Sequence, residues 1–86
     1  MAQVNVPQLF AEAALEVNGK TLGTLDRNTI IAKLGLDSVA VMELVGYVEE
    51  KLDIQLPDEE LAKVTTLGDL GGLVQRLVPA GTEIIF

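Results

Sequence analysis

Apolar residues recur at helical spacing near the start of the chain. Residues 6–17 place apolar side chains at i, i+3, i+4, i+7 and i+11, which is one face of an amphipathic helix. Asn5 and Pro7 suit the start of such a helix, because one can cap it and the other fixes φ. Asn18-Gly19 is a typical stop signal. The predicted apolar stripe consists of Val6, Leu9, Phe10, Ala13 and Val17.

Residues 38–52 show the clearest helical pattern in the chain. Their apolar side chains fall in one narrow sector when each residue turns the helix by about 100°. Either Asp37 or Ser38 can cap the start of this helix, and Pro57 limits any extension beyond its end. The stripe consists of Val41, Leu44, Val45, Val48 and Leu52.

The remaining third of the chain predicts a short helix and then a longer one. Acidic residues 58–60 open a short helix that runs to about Val64. Thr66 and Asp69 have the spacing of a capping box, and Pro79 ends the helix that follows it. The stripe of this last helix consists of Leu67, Leu70, Val74 and Leu77.

Residues 18–36 contain three glycines but too many apolar side chains for a free linker. We expect this segment to wrap over the core, with a helical turn or two near 27–34. Alternation with period two is nowhere sustained, which argues against a sheet. The predicted fold class is therefore all-α, a small four-helix bundle of three main helices and one short helix, with a long first loop.

The length of 86 residues predicts a single domain, 1–86, with its core at about 5–78 and a tail at 79–86. The tail ends in Ile84-Ile85-Phe86, which we expect to pack back on the body; a linker or docking role is the alternative. Met1 and the short N-terminus favour a freestanding protein.

Composition excludes several classes of function. Thirteen acids against six bases give a net charge of −7, which disfavours nucleic acids and anionic membrane surfaces as partners. The chain has no cysteine and no histidine, so it has no disulfide, no thiolate nucleophile, no ordinary zinc site and no histidine base. With neither a membrane span nor a secretory signal recognised, we expect a cytoplasmic protein that is not an enzyme by itself.

The net charge comes from one segment. Residues 37–60 hold eight acids and a single base, Lys51, while acids and bases balance in the rest of the chain. Opposite the core stripe of this helix lie Val39, Met42 and Gly46, with Glu43 and Glu50 beside them. A solvated helix face and a docking surface for a basic protein both explain this pattern.

Ser38 stands where the long loop meets the strongest helix, and its simplest role is a helix cap. If Asp37 caps instead, the hydroxyl is exposed and free for modification. At this point the run from Leu34 to Leu70 resembles the acyl carrier protein family of phosphopantetheine-binding carriers. The attachment motif is matched by Gly35-Leu36-Asp37-Ser38, and further similar stretches are Glu43-Leu44-Val45, Glu49-Glu50, Leu56-Pro57-Asp58-Glu59-Glu60 and Thr65-Thr66.

The resemblance implies that Ser38, flanked by Asp37, receives 4′-phosphopantetheine from coenzyme A. The arm would supply the thiol that the chain lacks, so that acyl groups are held as thioesters and partner enzymes do the chemistry. The resemblance also implies a docking role for the following helix, through Val39, Met42, Glu43, Glu49 and Glu50.

The partners implied are a phosphopantetheinyl transferase, an acyl- or aminoacyl-loading ligase or acyltransferase, and a ketosynthase or other enzymes with basic patches, all served by a monomer. Ala40, Gly46, Tyr47 and Lys51 depart from the fatty-acid-synthase pattern. They favour a discrete carrier of a polyketide, hybrid or fatty-acid-like pathway over a housekeeping role. The alternatives are a freestanding aminoacyl or peptidyl carrier and, in another class, an unmodified acidic helical adaptor.

Overall fold

The computed structural model describes residues 3–86, and within them it confirms the predicted bundle of three main helices and one short helix. The elements in chain order are β1 (Gln3–Asn5), α1 (Val6–Asn18), a 3-10 turn (Ile31–Lys33), α2 (Ser38–Leu52), α3 (Asp58–Leu61), α4 (Leu67–Leu77) and β2 (Glu83–Ile85). The predicted domain begins at Met1, which lies outside the described residues.

The ends of α1 form as the sequence predicts. The side chain of Asn5 accepts a hydrogen bond from the Gln8 N–H at 3.0 Å and so caps the first turn. Gly19 ends the helix in the left-handed conformation, with φ of 64°, where a residue with a Cβ is strained. Local capping chemistry therefore sets both ends of the helix before any tertiary contact is considered.

The core lies where α1, α2 and α4 meet, and α1 packs most extensively against α2. Val17 and Leu77 were predicted in the apolar stripes, but their side chains are 36% and 38% exposed. Both lie in the final turn of their helix, where solvent reaches the side chain. The most deeply buried large side chains are Phe10, Leu44, Leu67 and Val74.

The long first loop folds over the core with a helical turn inside the predicted range. A hydrogen-bonded turn at residues 26–29 leads into the 3-10 turn, whose Ile31 is buried. The loop is fixed to the segment before α4, since the Ile31 N–H donates to the Thr65 carbonyl at 3.0 Å and Ile30 forms an antiparallel bridge with Thr66.

Helices α3 and α4 begin as predicted, but α3 is shorter. It ends at Leu61, three residues before the predicted end. Thr66 and Asp69 form the predicted capping box at the start of α4. Within residues 3–86, no helix has the length and apolar character needed to cross a bilayer.

A short parallel sheet of β1 and β2 is the main departure from the prediction, which argued against any sheet. Gln3, Val4 and Asn5 pair with residues 83–85 in register. Three residues are too few for alternation to show in the sequence. The tail thus packs on the body, as expected, but the packed body is wider than 5–78, because Val4 is buried and Ile84 packs against the core.

Candidate functional site

Ser38 is the first residue of α2, and its side chain is exposed. The helix is capped by the preceding residue, because the Asp37 carboxylate accepts a hydrogen bond from the Ala40 N–H at 2.8 Å. Of the two caps that the sequence allowed, the structure has Asp37. Within the described residues the Ser38 hydroxyl forms no hydrogen bond, so it is available to an enzyme from outside.

The loop before Ser38 is held in place from two sides. Gly35 has φ of 77°, a left-handed conformation that glycine adopts without strain. The Lys20 ammonium donates to the Gly35 carbonyl at 3.4 Å, and Leu36 packs against the core. These contacts fix where the chain enters α2 and therefore where the hydroxyl of Ser38 is presented.

A groove of about 600 Å³ borders Ser38. This volume is in the range of sites that take small molecules. Its walls are mostly apolar and come from α2, α3 and the first loop, with Phe10 and Leu70 among the core residues that line it. Asp58 and Thr65 add polar groups to the lining. Sequence patterns could not reveal this groove, because its volume depends on how far apart the helices pack.

The outer face of α2 is apolar at its centre and acidic at its edge, as the sequence indicated. Val39 is 69% exposed and Met42 is 62% exposed. Glu43 and Glu50 are exposed, and neither forms an ion pair within residues 3–86. Since Met42 also lines the groove, the exposed face and the groove adjoin each other along α2.

Glu49, the remaining candidate of this face, has an internal partner. Its carboxylate accepts a hydrogen bond from the Leu56 N–H at 2.6 Å, and its side chain is only partly exposed. The contact holds the loop between α2 and α3 against the end of α2. Leu56 lies in the loop beyond the end of α2, so no helical spacing in the sequence indicated this bond.

Two of the residues that depart from the fatty-acid-synthase pattern join α2 to α1. The Tyr47 hydroxyl donates a hydrogen bond to the Glu12 carboxylate, and the Lys51 ammonium lies 3.4 Å from the same oxygen. The hydrogen bond between Tyr47 and Glu12 lowers the pKa of Glu12, and the same bond raises the pKa of Tyr47. The hydrogen bond with Glu12 likewise raises the pKa of Lys51. Ala40, another departure, is buried, and an acidic side chain there would be desolvated.

Ser38 offers a hydroxyl, but the groups that would activate it for catalysis are not assembled around it within residues 3–86. Among residues 3–86 there is no cluster of three or more side chains that could hold a metal ion. The chain has no histidine to act as a base, and the Asp37 carboxylate is engaged as the helix cap. The arrangement suits a hydroxyl that another enzyme modifies, placed beside an apolar groove.

Comparison with known proteins gives one consistent result. The family described as "Phosphopantetheine attachment site" matches residues 8–74 of this chain. The chain is 36% identical over 67 residues to the acyl carrier protein homolog of Ureaplasma parvum. The aligned region spans 78% of this chain and 86% of that protein. It is 32% identical over 71 residues to the non-reducing polyketide synthase tazA of Aspergillus terreus, across 83% of this chain and 3% of that protein.

A solved structure agrees with these sequence matches. The crystal structure of an acyl carrier protein from Thermotoga maritima superposes with a TM-score of 0.68 at 34% sequence identity. The superposition covers 77% of this chain and 79% of that one. The residues that match the family, 8–74, include Ser38 and all the residues that line the groove.

Proposed function

Because this chain belongs to the phosphopantetheine-binding acyl carrier protein family, whose members are non-catalytic carriers with a covalent 4′-phosphopantetheine arm, we propose that Ser38 bears the arm. Ser38 is the only serine in the chain. The observation that carries the proposal is that Asp37 caps α2, which leaves the Ser38 hydroxyl exposed and without a structural role. The single domain then presents one arm to its partner enzymes.

The surroundings of Ser38 suit a phosphodiester and an attached acyl chain. A phosphate on this hydroxyl lies at the N-terminus of a helix of 15 residues, where the helix dipole favours an anion. The bound arm supplies the thiol that forms a thioester. The apolar groove bordering Ser38 gives an acyl chain a surface that excludes water.

The proposed docking surface is the outer face of α2. Val39 and Met42 offer exposed apolar area, while Glu43 and Glu50 offer carboxylates to a basic partner patch. Glu49 contributes negative charge there while its hydrogen bond holds the next loop. The partners proposed are a phosphopantetheinyl transferase, a loading ligase or acyltransferase, and a ketosynthase.

For the pathway, we propose a discrete carrier of polyketide, hybrid or fatty-acid-like synthesis rather than housekeeping fatty acid synthesis. The match to a polyketide synthase supports the pathway part of this proposal, and the match across most of an acyl carrier protein homolog supports a discrete carrier. Ala40 and Tyr47, which differ from the fatty-acid-synthase pattern, have packing roles in this structure. Gly46 is exposed on the docking face, so its difference from that pattern says more about the pathway. A cytoplasmic location and a monomeric state stay predictions.

The attachment is tested by intact-protein mass spectrometry after incubation with a broad-specificity phosphopantetheinyl transferase and coenzyme A. We expect the wild-type chain to gain one phosphopantetheine and Ser38→Ala to gain none. Thr65→Ala is the matched control, since Thr65 is another exposed hydroxyl that borders the groove, and it should gain the arm fully. An unmodified wild type would refute the proposal and favour the unmodified adaptor, whereas a modified Ser38→Ala would refute it by showing that the arm is attached at another residue.

The cargo is tested by the same measurement on protein isolated from its native host. An acyl mass made of several extension units whose keto groups are not fully reduced supports the pathway proposal. An aminoacyl mass would instead identify the chain as a freestanding aminoacyl carrier. A saturated even-numbered fatty acyl series would overturn the pathway assignment while leaving the attachment at Ser38 intact.

A further inference from the structure

The last four residues, Glu83–Phe86, which we call the clasp, contact three separate parts of the molecule. β2 pairs with β1, and the Gln3 side-chain amide donates to the Glu83 carboxylate at 2.7 Å. The Phe86 ring lies directly on Gly71 of α4, since a Cβ built on that glycine stands 2.5 Å from the ring. The guanidinium of Arg27, in the first loop, lies 4.6 Å from the centre of the same ring.

Arg27 connects the clasp to the wall of the groove. The Arg27 carbonyl accepts a hydrogen bond from the Gly68 N–H at 2.9 Å. Two residues further on, the Thr29 carbonyl accepts from the Leu67 N–H at 3.0 Å. The next bond of this series, from the Ile31 N–H to the residue 65 carbonyl, joins two residues that both line the groove.

We propose that the clasp is a strap whose seating on Gly71 holds the first-loop wall of the groove in place. When the Phe86 ring leaves Gly71, the Arg27 side chain loses its stacking partner, and the bonds from the first loop to the start of α4 open more often. Arg27 and Phe86 are then positioning residues for the groove beside Ser38. The strap belongs to the unmodified fold, so it stands or falls independently of the attachment proposal.

The clasp is suited to open and close because it is weakly held. Two strands of three residues form a marginal sheet by themselves. The Phe86 ring is 38% exposed, so solvent already reaches the contact that fastens the strap. Segments with few buried contacts open locally at low free energy while the rest of the protein stays folded. The groove wall connected to the strap shares in these openings.

Two adjacent glycines in α4 give a matched test of the strap. A Cβ at Gly72 meets nothing within 4 Å, whereas a Cβ at Gly71 overlaps the Phe86 ring. Alanine improves the helix at both positions, because glycine is the poorer helix former. Gly71→Ala therefore displaces the ring, and Gly72→Ala makes the same chemical change without touching it.

The test is amide hydrogen exchange, resolved by residue, on the unmodified full chain. In Gly71→Ala we expect the amides of Ile31, Leu67 and Gly68 to exchange about tenfold faster than in Gly72→Ala. The amides of Leu44 and Val48, in α2, should keep their protection. Equal exchange in the two variants, or a uniform acceleration over the whole chain, would overturn the proposal.

The effect on the groove is read from methyl chemical shifts. Val41 and Leu61 line the groove from α2 and α3, and neither belongs to the clasp. Their methyl shifts should change in Gly71→Ala and remain at wild-type values in Gly72→Ala. Unchanged shifts at both residues would show that the strap does not reach the groove.

A second comparison removes the Phe86 ring itself and leaves Gly71 unchanged. Phe86→Ala should reproduce the faster exchange at Ile31, and Leu77→Ala, a residue of the same 38% exposure, should not. If Phe86→Ala fails to fold, Arg27→Gln removes the stacked cation and leaves the ring in place. Wild-type exchange at Ile31 in Arg27→Gln would contradict the role given to Arg27.

Discussion

The Ser38 side of the molecule and the clasp side use the same kinds of groups in opposite ways. On the Ser38 side, the hydroxyl and the Glu43 carboxylate have no partner within residues 3–86, and with the exposed Val39 they face solvent beside an open groove. On the clasp side, the Asp69 carboxylate accepts hydrogen bonds from the Thr65 and Thr66 N–H groups, and the Phe86 ring has a cation on one face. The Ser38 side, whose polar and apolar groups face solvent, is suited to contact other molecules. The clasp side, whose groups contact one another, stabilises the fold.

Charge follows the same division. The excess of carboxylates belongs to residues 37–60, which begin at the cap of α2 and end in α3. Glu60, at the edge of that segment, is paired with Arg76 at 3.0 Å and with Lys63 at 3.4 Å, so α3 is tied to α4. The charges of α3 and α4 thus close contacts within the fold, whereas Glu43 and Glu50 on α2 form no ion pair within residues 3–86 and can attract a basic partner.

The largest difference between the two sides is expected in unfolding. Leu67, at the start of α4, is fully buried, so Leu67→Ala should lower the free energy of unfolding by about 2–5 kcal/mol. Met42→Ala, on the exposed face of α2, should change it by less than about 0.5 kcal/mol. Urea denaturation measures both values, and a large loss in Met42→Ala would show that the α2 face is structural.

The cap of α2 gives the next largest effect. Asp37→Ala removes the side chain that accepts the Ala40 N–H, so it should cost about 0.5–2 kcal/mol of stability. Ser38→Ala should cost less than about 0.5 kcal/mol, because its hydroxyl has no partner. Thermal or urea unfolding compares the two. If Ser38→Ala proved the more destabilising, the hydroxyl would be the cap and the division between the sides would fail.

A smaller effect is expected on association with a basic partner. Glu43→Gln removes a free carboxylate from the docking face and should slow association with the phosphopantetheinyl transferase about two- to threefold at low salt. Glu16→Gln, an exposed carboxylate on α1, is the matched control and should leave the rate unchanged. Stopped-flow kinetics at two salt concentrations measures both, and equal effects would point to net charge rather than to the α2 face.

The smallest effect concerns acid stability on the clasp side. Hydrogen bonds from the Thr65 and Thr66 N–H groups lower the pKa of Asp69 below its ordinary value of 3.8. A carboxyl with a lowered folded pKa stabilises the fold above its ordinary value, and this contribution is lost as pH falls through the folded value. The melting temperature of wild type should therefore fall more on acidification than that of Asp69→Asn. Parallel melting curves against pH would contradict this.

The sequence predicted most of the helices because their signals are local. The Asn5 cap, the Gly19 stop and the Thr66–Asp69 capping box each involve residues within four positions of one another, and all three form in the structure. The sheet was missed because its pairs are 80 residues apart and each strand is only three residues long. Strands of three residues are too short for an alternation of apolar and polar positions to be recognised in the sequence.

The sequence predicted only those parts of the candidate site that depend on neighbouring residues. The motif around Ser38 is a continuous run, so its place at the start of α2 could be predicted from the sequence. The role of Glu49 could not, because its partner Leu56 lies across a loop. The Tyr47–Glu12 hydrogen bond, which spans 35 residues, likewise depends on how α1 packs against α2.

The amino-acid sequence by itself determined where each helix begins, which residue is the sole serine, and that the excess of acidic charge lies in residues 37–60. Each of these depends on residues adjacent or one helical turn apart, whose geometry the backbone alone dictates. The tertiary structure decided the volume of the groove, the partners of Glu12 and Glu49, and the seating of Phe86 on Gly71. These depend on distances between elements far apart in the chain, which only the packing of the helices establishes.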